Sequence, residues 1–246
     1  MKSKSKKQRL DEILIERGIA KDKAEAFITV TEGNIFIEGQ KAVSPAQLLD
    51  SDVMLRVKEP RKYVGRGGLK LEAALREFNL LPAGKTCADI GVATGGFTDV
   101  LLQNGARKVY AIDTGRGKLA LKLREDPRVI VMEETNILYL DALPEPIECA
   151  VVDVSFTSLR LVLLALKKFL LPGAEVIALF KPQYEVDKKK LHHGIVEEDV
   201  IRKEALNSFG DWAAASGWGI IDQITSPIPG AKGNVEYLLH LRFSSH

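Results

Sequence analysis

The chain has 246 residues, 46% hydrophobic and 28% charged, with a net charge of +2; this describes a globular protein with room for one large and one small domain. No apolar run approaches the roughly 18 residues of a membrane helix, and the basic N-terminus has no apolar core behind it, so neither a membrane protein nor a secretory signal is expected. Cys87 and Cys149 lie in apolar runs and combine with His192, His193, His240 and His246 at no metal-ligand spacing, which predicts buried, reduced thiols, a cytoplasmic setting and no metal centre.

Residues 1–70 hold 15 Lys or Arg against 10 Asp or Glu, an excess that the remainder of the chain reverses. MKSKSKKQR carries five positive charges in nine residues, and Arg56, Lys58, Arg61, Lys62, Arg66 and Lys70 form a second basic cluster. Such clusters either contact phosphates or solvate a tail and a linker, and both readings stand at this point. Behind the basic arm, the pattern predicts helices over Arg9–Arg17 and Lys21–Thr31, then short strands over Asn34–Ile37 and Val53–Val57. Residues 1–58 are thus expected to form a small α+β domain. EPRKYVGRGG, Glu59–Gly68, reads as a linker, because Pro60 and three glycines interrupt regular structure.

From Leu69 to the C-terminus helical and apolar strand patterns alternate. LKLEAALREF is an amphipathic helix, and strands are predicted over Thr86–Ile90, Lys108–Ile112, Val129–Met132, Glu148–Val152 and Glu175–Phe180. Alternation of this kind predicts an α/β domain over 69–246, with a mostly parallel sheet covered on both faces and ligands at the carboxyl ends of its strands. The last two strand-like runs, WGIIDQITS and NVEYLLHLRF, are separated only by PIPGAKG. That is too short for a helical crossover, so a terminal antiparallel hairpin is expected at one sheet edge.

The first strand runs into DIGVATGGFTD, Asp89–Asp99, where a strand end, a glycine-rich turn and a helix start are compressed together. A dinucleotide fingerprint needs glycine at its first, third and sixth positions. Counting from Gly91 gives Gly91, Ala93 and Gly96, with Gly95 extra. The looser acidic-then-glycine turn suits S-adenosylmethionine, which has no phosphate to cradle. Asp113 closes the second strand, where a carboxylate either accepts the ribose hydroxyls of an adenosine or caps the following turn. Asp153 closes the fourth strand and Lys181 the fifth, Lys70 stands in the first helix, and Glu236 lies in the last strand. Taken singly, each of these charged residues also fits a solvated surface.

The order Lys70, Asp153, Lys181, Glu236 resembles the K-D-K-E tetrad of FtsJ-type ribose methyltransferases. GRGGLKLEAAL, DIGVATGGFTDVLLQNGA, VVDVSFTSL, ALFKPQ and GNVEYLLHL are similar to strings of the TlyA/hemolysin A family. The small domain is similar to an RNA-binding domain first known from a small-subunit ribosomal protein. It departs from that pattern at Asp22 and Lys23, where Ser and Arg are common, and in the turn TEGNIFIEGQ. DKKKLHHGIV, Asp187–Val196, likewise departs from the family's glycine-rich version. The resemblance implies a Rossmann-like S-adenosylmethionine-dependent methyltransferase sheet that methylates a ribose 2′-hydroxyl of ribosomal RNA, free or in ribosomal subunits. It implies catalytic roles for Lys70, Asp153, Lys181 and Glu236; a weak hydroxyl nucleophile then calls for a lysine as activating base, assigned to Lys181 with Lys70 open as the alternative, and for the two acids to orient the lysines. Cofactor contacts are implied for Gly91, Ala93, Thr94, Gly95, Gly96, Phe97, Asp113, Thr114 and Asp153, and RNA contacts for Arg9, Lys23, Arg61, Lys62 and Arg66. The family's other name, hemolysin, implies a signal, an apolar span or repeated amphipathic strands, and the sequence carries none of these. A noncatalytic RNA-binding protein with the same fold is the remaining alternative, and methyl incorporation separates the two.

Overall fold

Two units, Met1–Lys62 and Tyr63–His246, divide the chain in the computed structural model, which describes residues 7–31, 33–58 and 62–243. Most of the basic arm and Arg61 lie outside the described residues.

In the first unit, β1 (Lys7–Arg9) leads into α1 (Leu10–Glu16) and α2 (Lys23–Thr31). The strands β2 (Ile35–Ile37), β3 (Gln40–Lys41), β4 (Leu48–Asp50) and β5 (Leu55–Val57) follow. Both predicted helices are present, but α2 starts two residues later than expected. The Asp22 carboxylate accepts the Glu25 N–H at 2.8 Å, and Glu25 reaches back to the Lys21 N–H at 2.8 Å. This reciprocal cap satisfies donors that an earlier start would leave orphaned. β3, β2 and β5 make an antiparallel three-stranded sheet with β2 in the centre, while β1 pairs with β4. β1, β3 and β4 are not among the predicted strands. The core is thin, with Leu10, Leu14, Ala20, Ala26, Val30, Ile35 and Ala42 at its centre.

The second unit starts earlier than the sequence suggests. Tyr63 is buried in its core, the Val64 N–H donates to Asp99 Oδ2 at 2.9 Å, and α3 (Gly67–Glu77) begins inside the expected linker. The glycines there serve close packing: a Cβ on Gly68 would collide with the Tyr63 ring. Beyond α3 the order is β6 (Thr86–Ile90), α4 (Gly96–Gln103), β7 (Lys108–Ile112), α5 (Leu121–Arg124), β8 (Val129–Met132), β9 (Ile147–Val152) and α6 (Leu159–Leu166). β10 (Leu170–Phe180), α7 (Asp199–Ala215), β11 (Trp218–Thr225) and β12 (Tyr237–Phe243) complete it.

These strands form one sheet in the order β11-β12-β10-β9-β6-β7-β8. β10, β9, β6, β7 and β8 are parallel, and β12 runs antiparallel to both β10 and β11. The expected hairpin is present, with β12 inserted between β10 and the edge strand β11. Side chains alternate between two cores. Leu71, Leu75, Val100 and Leu101 of α3 and α4 cover Cys87, Val109 and Val151, while Leu159, Leu163, Phe209 and Ala213 of α6 and α7 cover Ala88, Tyr110 and Val152. Cys87 and Cys149 are register partners on β6 and β9, buried and free. β10 begins five residues before its predicted start, and its pairing to β9 is irregular around the left-handed Gly173. No helix is long and apolar enough to cross a membrane, among the described residues.

Candidate active site

Because β6, β7 and β9 end in register, the residues that follow them meet at one edge of the sheet. Gly91 leaves β6 with φ 89°, donates its N–H to the Ile112 carbonyl at 2.8 Å, and lies so close to the Asp153 backbone that a Cβ would collide with it. Only glycine combines that left-handed turn with that approach. A cavity of about 260 Å³ opens above, lined by Gly91, Ala93, Asp113, Thr114 and Asp153 of the expected cofactor contacts, and also by Lys118, Thr135, Asn136 and Phe156. Asp113 is fixed by its own turn: Oδ2 accepts the Ala93 N–H at 2.8 Å and Oδ1 the Gly115 N–H at 2.7 Å. Each carboxylate oxygen keeps a further lone pair, so the group can still accept ribose hydroxyls.

Thr94, Gly95, Gly96 and Phe97 are absent from this lining. They form the turn behind it. Gly95, at φ 93°, starts α4, and a Cβ there would run into Leu119 and Leu123. A Cβ on Gly96 would come within 2.9 Å of the Gly68 nitrogen, Thr94 stands beside Gly65, and Phe97 is buried in the core. Their glycine-rich pattern reflects packing of α4 against the start of α3 and against α5.

Asp89, read from sequence only as the start of the turn, is fully buried. Its Oδ2 accepts the Thr98 hydroxyl at 2.7 Å, while Oδ1 has no partner. Burial pushes its pKa up to about 7; Thr98 opposes the shift, and the negative charges of Asp153 and Asp113 add to it. The carboxylate on the cavity wall is that of Asp113, held by backbone N–H groups, a setting that suits a ligand bringing hydroxyl or positively charged groups.

A second cavity, of about 240 Å³, adjoins the first and shares Asp153 and Ser155 with it. Here the four tetrad residues meet as two ion pairs. Lys181 Nζ lies 2.6 Å from Asp153 Oδ1 and 3.2 Å from Ser155 Oγ, while Lys70 Nζ lies 2.5 Å from Glu236 Oε2. Lys70 and Glu236 are 8% and 2% exposed, a depth at which either charge alone would be costly. Glu236 stands one residue before β12, slightly outside the strand expected to hold it. Gln183, Tyr184 and the segment Ile228–Ala231 complete the wall. Gln183 and Ser155 stand inside the strings ALFKPQ and VVDVSFTSL but are assigned no site role from the sequence, because their relevance depends on which side chains they face.

Of the expected RNA contacts, Arg66 lines this second cavity. Lys23 and Lys62 are exposed, and Arg61 lies outside the described residues. Arg9 is turned back on its own chain, with Nη2 2.7 Å and Nε 3.0 Å from the two Asp11 oxygens. That fork uses the planar face otherwise suited to a phosphate.

The FtsJ-like methyltransferase family matches residues 63–243. A Bacillus subtilis protein, YqxC, provisionally named an rRNA methyltransferase, is 43% identical over 97% of this chain and 87% of its own length. The Mycobacterium tuberculosis protein named 16S/23S rRNA (cytidine-2'-O)-methyltransferase TlyA is 39% identical over 97% of this chain and 91% of its own. A solved structure from Streptococcus thermophilus, provisionally named a hemolysin, superposes with a TM-score of 0.74 at 39% identity, covering 98% of this chain and 90% of that one.

Proposed function

Since the chain belongs to the FtsJ-like methyltransferase family, we propose that it is an S-adenosylmethionine-dependent enzyme that methylates a ribose 2′-hydroxyl of ribosomal RNA. The observation that carries this reading is the pair of adjoining cavities whose shared wall holds Asp153, with Lys181 bound to it. When bound, S-adenosylmethionine supplies an electrophilic methyl group on a positively charged sulfur.

Donor binding falls to the first cavity, with Gly91 letting the backbone approach and Asp113 accepting ribose hydroxyls. The acceptor ribose belongs in the second cavity. A hydroxyl is a weak nucleophile, so it must be oriented in line with the methyl and must lose its proton during attack. Lys181, at the junction, is the group assigned that proton: its ammonium, paired with Asp153 at 2.6 Å, first gives up a proton to solvent, and the amine then takes the hydroxyl proton and restores the pair. Lys70, fixed by Glu236, provides a second set of donors for oxygen atoms of the acceptor.

The relatives' names support ribosomal RNA as substrate, and the basic excess in residues 1–70 supports a docking role for the first unit. The same reading places the protein with ribosomes, in the cytoplasm. Incubation with labelled S-adenosylmethionine and ribosomal subunits lacking the modification, followed by mapping of the label, tests it. Label on a ribose 2′-oxygen is the expected result. Label on base atoms or protein overturns the reading, and cofactor binding without transfer favours the noncatalytic alternative.

A further inference from the structure

Glu236 is held more tightly than its ion pair requires. Its Oε2 is taken by Lys70 at 2.5 Å, and its Oε1 faces the Gln183 amide, whose Nε2 lies 3.4 Å away. Gln183 is itself buried, and its own Oε1 has no partner. An unsatisfied buried amide oxygen is costly and calls for a reason. The alternative orientation supplies it: turning the amide over would set its oxygen against the Glu236 carboxylate, acceptor to acceptor. The amide therefore keeps its N–H toward Glu236 and leaves its oxygen unpaired.

Gly230 closes the third side. Its backbone, at φ −75° and ψ −163°, is one that any residue adopts. Yet the three atoms nearest to a Cβ built there all belong to the Glu236 carboxyl group, with which it would collide. The absent side chain is a space reserved for that carboxylate.

We propose that Gln183 and Gly230 form a socket for the Glu236 carboxylate and are positioning residues: through Glu236 they set where Lys70 presents its ammonium to the acceptor. The inference rests on the methyl-transfer reading above for its kinetic consequence, but not for the socket itself.

Full-length protein, S-adenosylmethionine and ribosomal subunits provide the test. Gln183→Leu and Gly230→Ala should each lower kcat by roughly 10- to 100-fold, the scale of a misplaced positioning group, with cofactor affinity unchanged. In a Glu236→Ala background, either substitution should cost nothing further, because the group being positioned is gone. Losses that multiply with that of Glu236→Ala, or a kcat equal to wild type in both variants, overturn the proposal. Gly230→Ala removes no buried side chain and stays informative if Gln183→Leu folds poorly. Unfolding midpoints of the same set need no turnover: non-additive shifts support the socket, and additive ones overturn it. Failure of the wild type to methylate RNA with the coupling intact removes the functional reading and leaves the socket standing. Methylation without coupling does the reverse.

Discussion

The two adjoining cavities hold their carboxylates in opposite ways. In the first, Asp113 is bound by the Ala93 and Gly115 N–H groups. On the acceptor side, Asp153 and Glu236 are each matched to a lysine. Backbone amides orient the Asp113 carboxylate without cancelling its charge, so the first cavity retains attraction for a positive ligand. An ion pair cancels the charge and fixes both partners, which suits groups that must align a neutral hydroxyl. The contrast separates binding by uncompensated charge from positioning by compensated charge.

Asp89 carries the largest expected effect. Its folded pKa, about 7, is raised from 3.8. Between those values the native state binds the proton that the unfolded chain has released, so stability falls as pH rises through this window and levels off above about 7. At ~1.36 kcal/mol per unit, the loss is at most about 4 kcal/mol. Asp89→Asn should flatten that slope and be more stable than wild type at alkaline pH, the gap closing toward acid. Denaturant midpoints across the range check this, and an unchanged slope would mean that Asp89 is compensated in solution.

Next in size is Lys181→Ala on the acceptor side, which should slow methyl transfer by roughly 100-fold, the low end for a lost general base, with cofactor affinity preserved. Wild-type turnover in a single-turnover assay would reduce the Lys181–Asp153 pair to a structural contact. Asp113→Ala should act on the other half alone, weakening cofactor binding by roughly 1 to 3 kcal/mol, the cost of lost hydrogen bonds to a charged group. Calorimetry reads it directly, and unchanged affinity takes Asp113 out of the donor site.

The smallest effect on either cavity belongs to removal of residues 1–62. All the residues lining both cavities lie downstream, so cofactor affinity should not change. RNA affinity should fall and depend less steeply on salt, since fewer phosphates are neutralised. Equal affinities and slopes for the full and shortened chains would rule out the first unit as the docking module.

The five parallel strands were legible in the sequence because each is a local apolar run, and periodicity is a local property. So was the terminal hairpin, since PIPGAKG is too short for any other connection. Gly91 and Asp113 could be read from their positions at strand ends, and the tetrad from family resemblance. The sequence did not distinguish Gly91, which a turn beside the cavity requires, from Gly95 and Gly96, which packing requires. The same letters answer both needs.

Partnership lay further out of reach. Lys70 and Glu236 are 166 residues apart in the chain, and their contact exists only once β12 is inserted beside β10 and α3 packs over that end of the sheet. The orphaned oxygens of Asp89 and Gln183, and the space at Gly230 that admits Glu236, likewise arise only in the folded chain. Local composition determined which elements form and which residue types stand at their ends. The tertiary structure decided which charges are paired, which remain uncompensated and which glycines make room, because burial and electrostatics depend on neighbours that the order of residues alone does not specify.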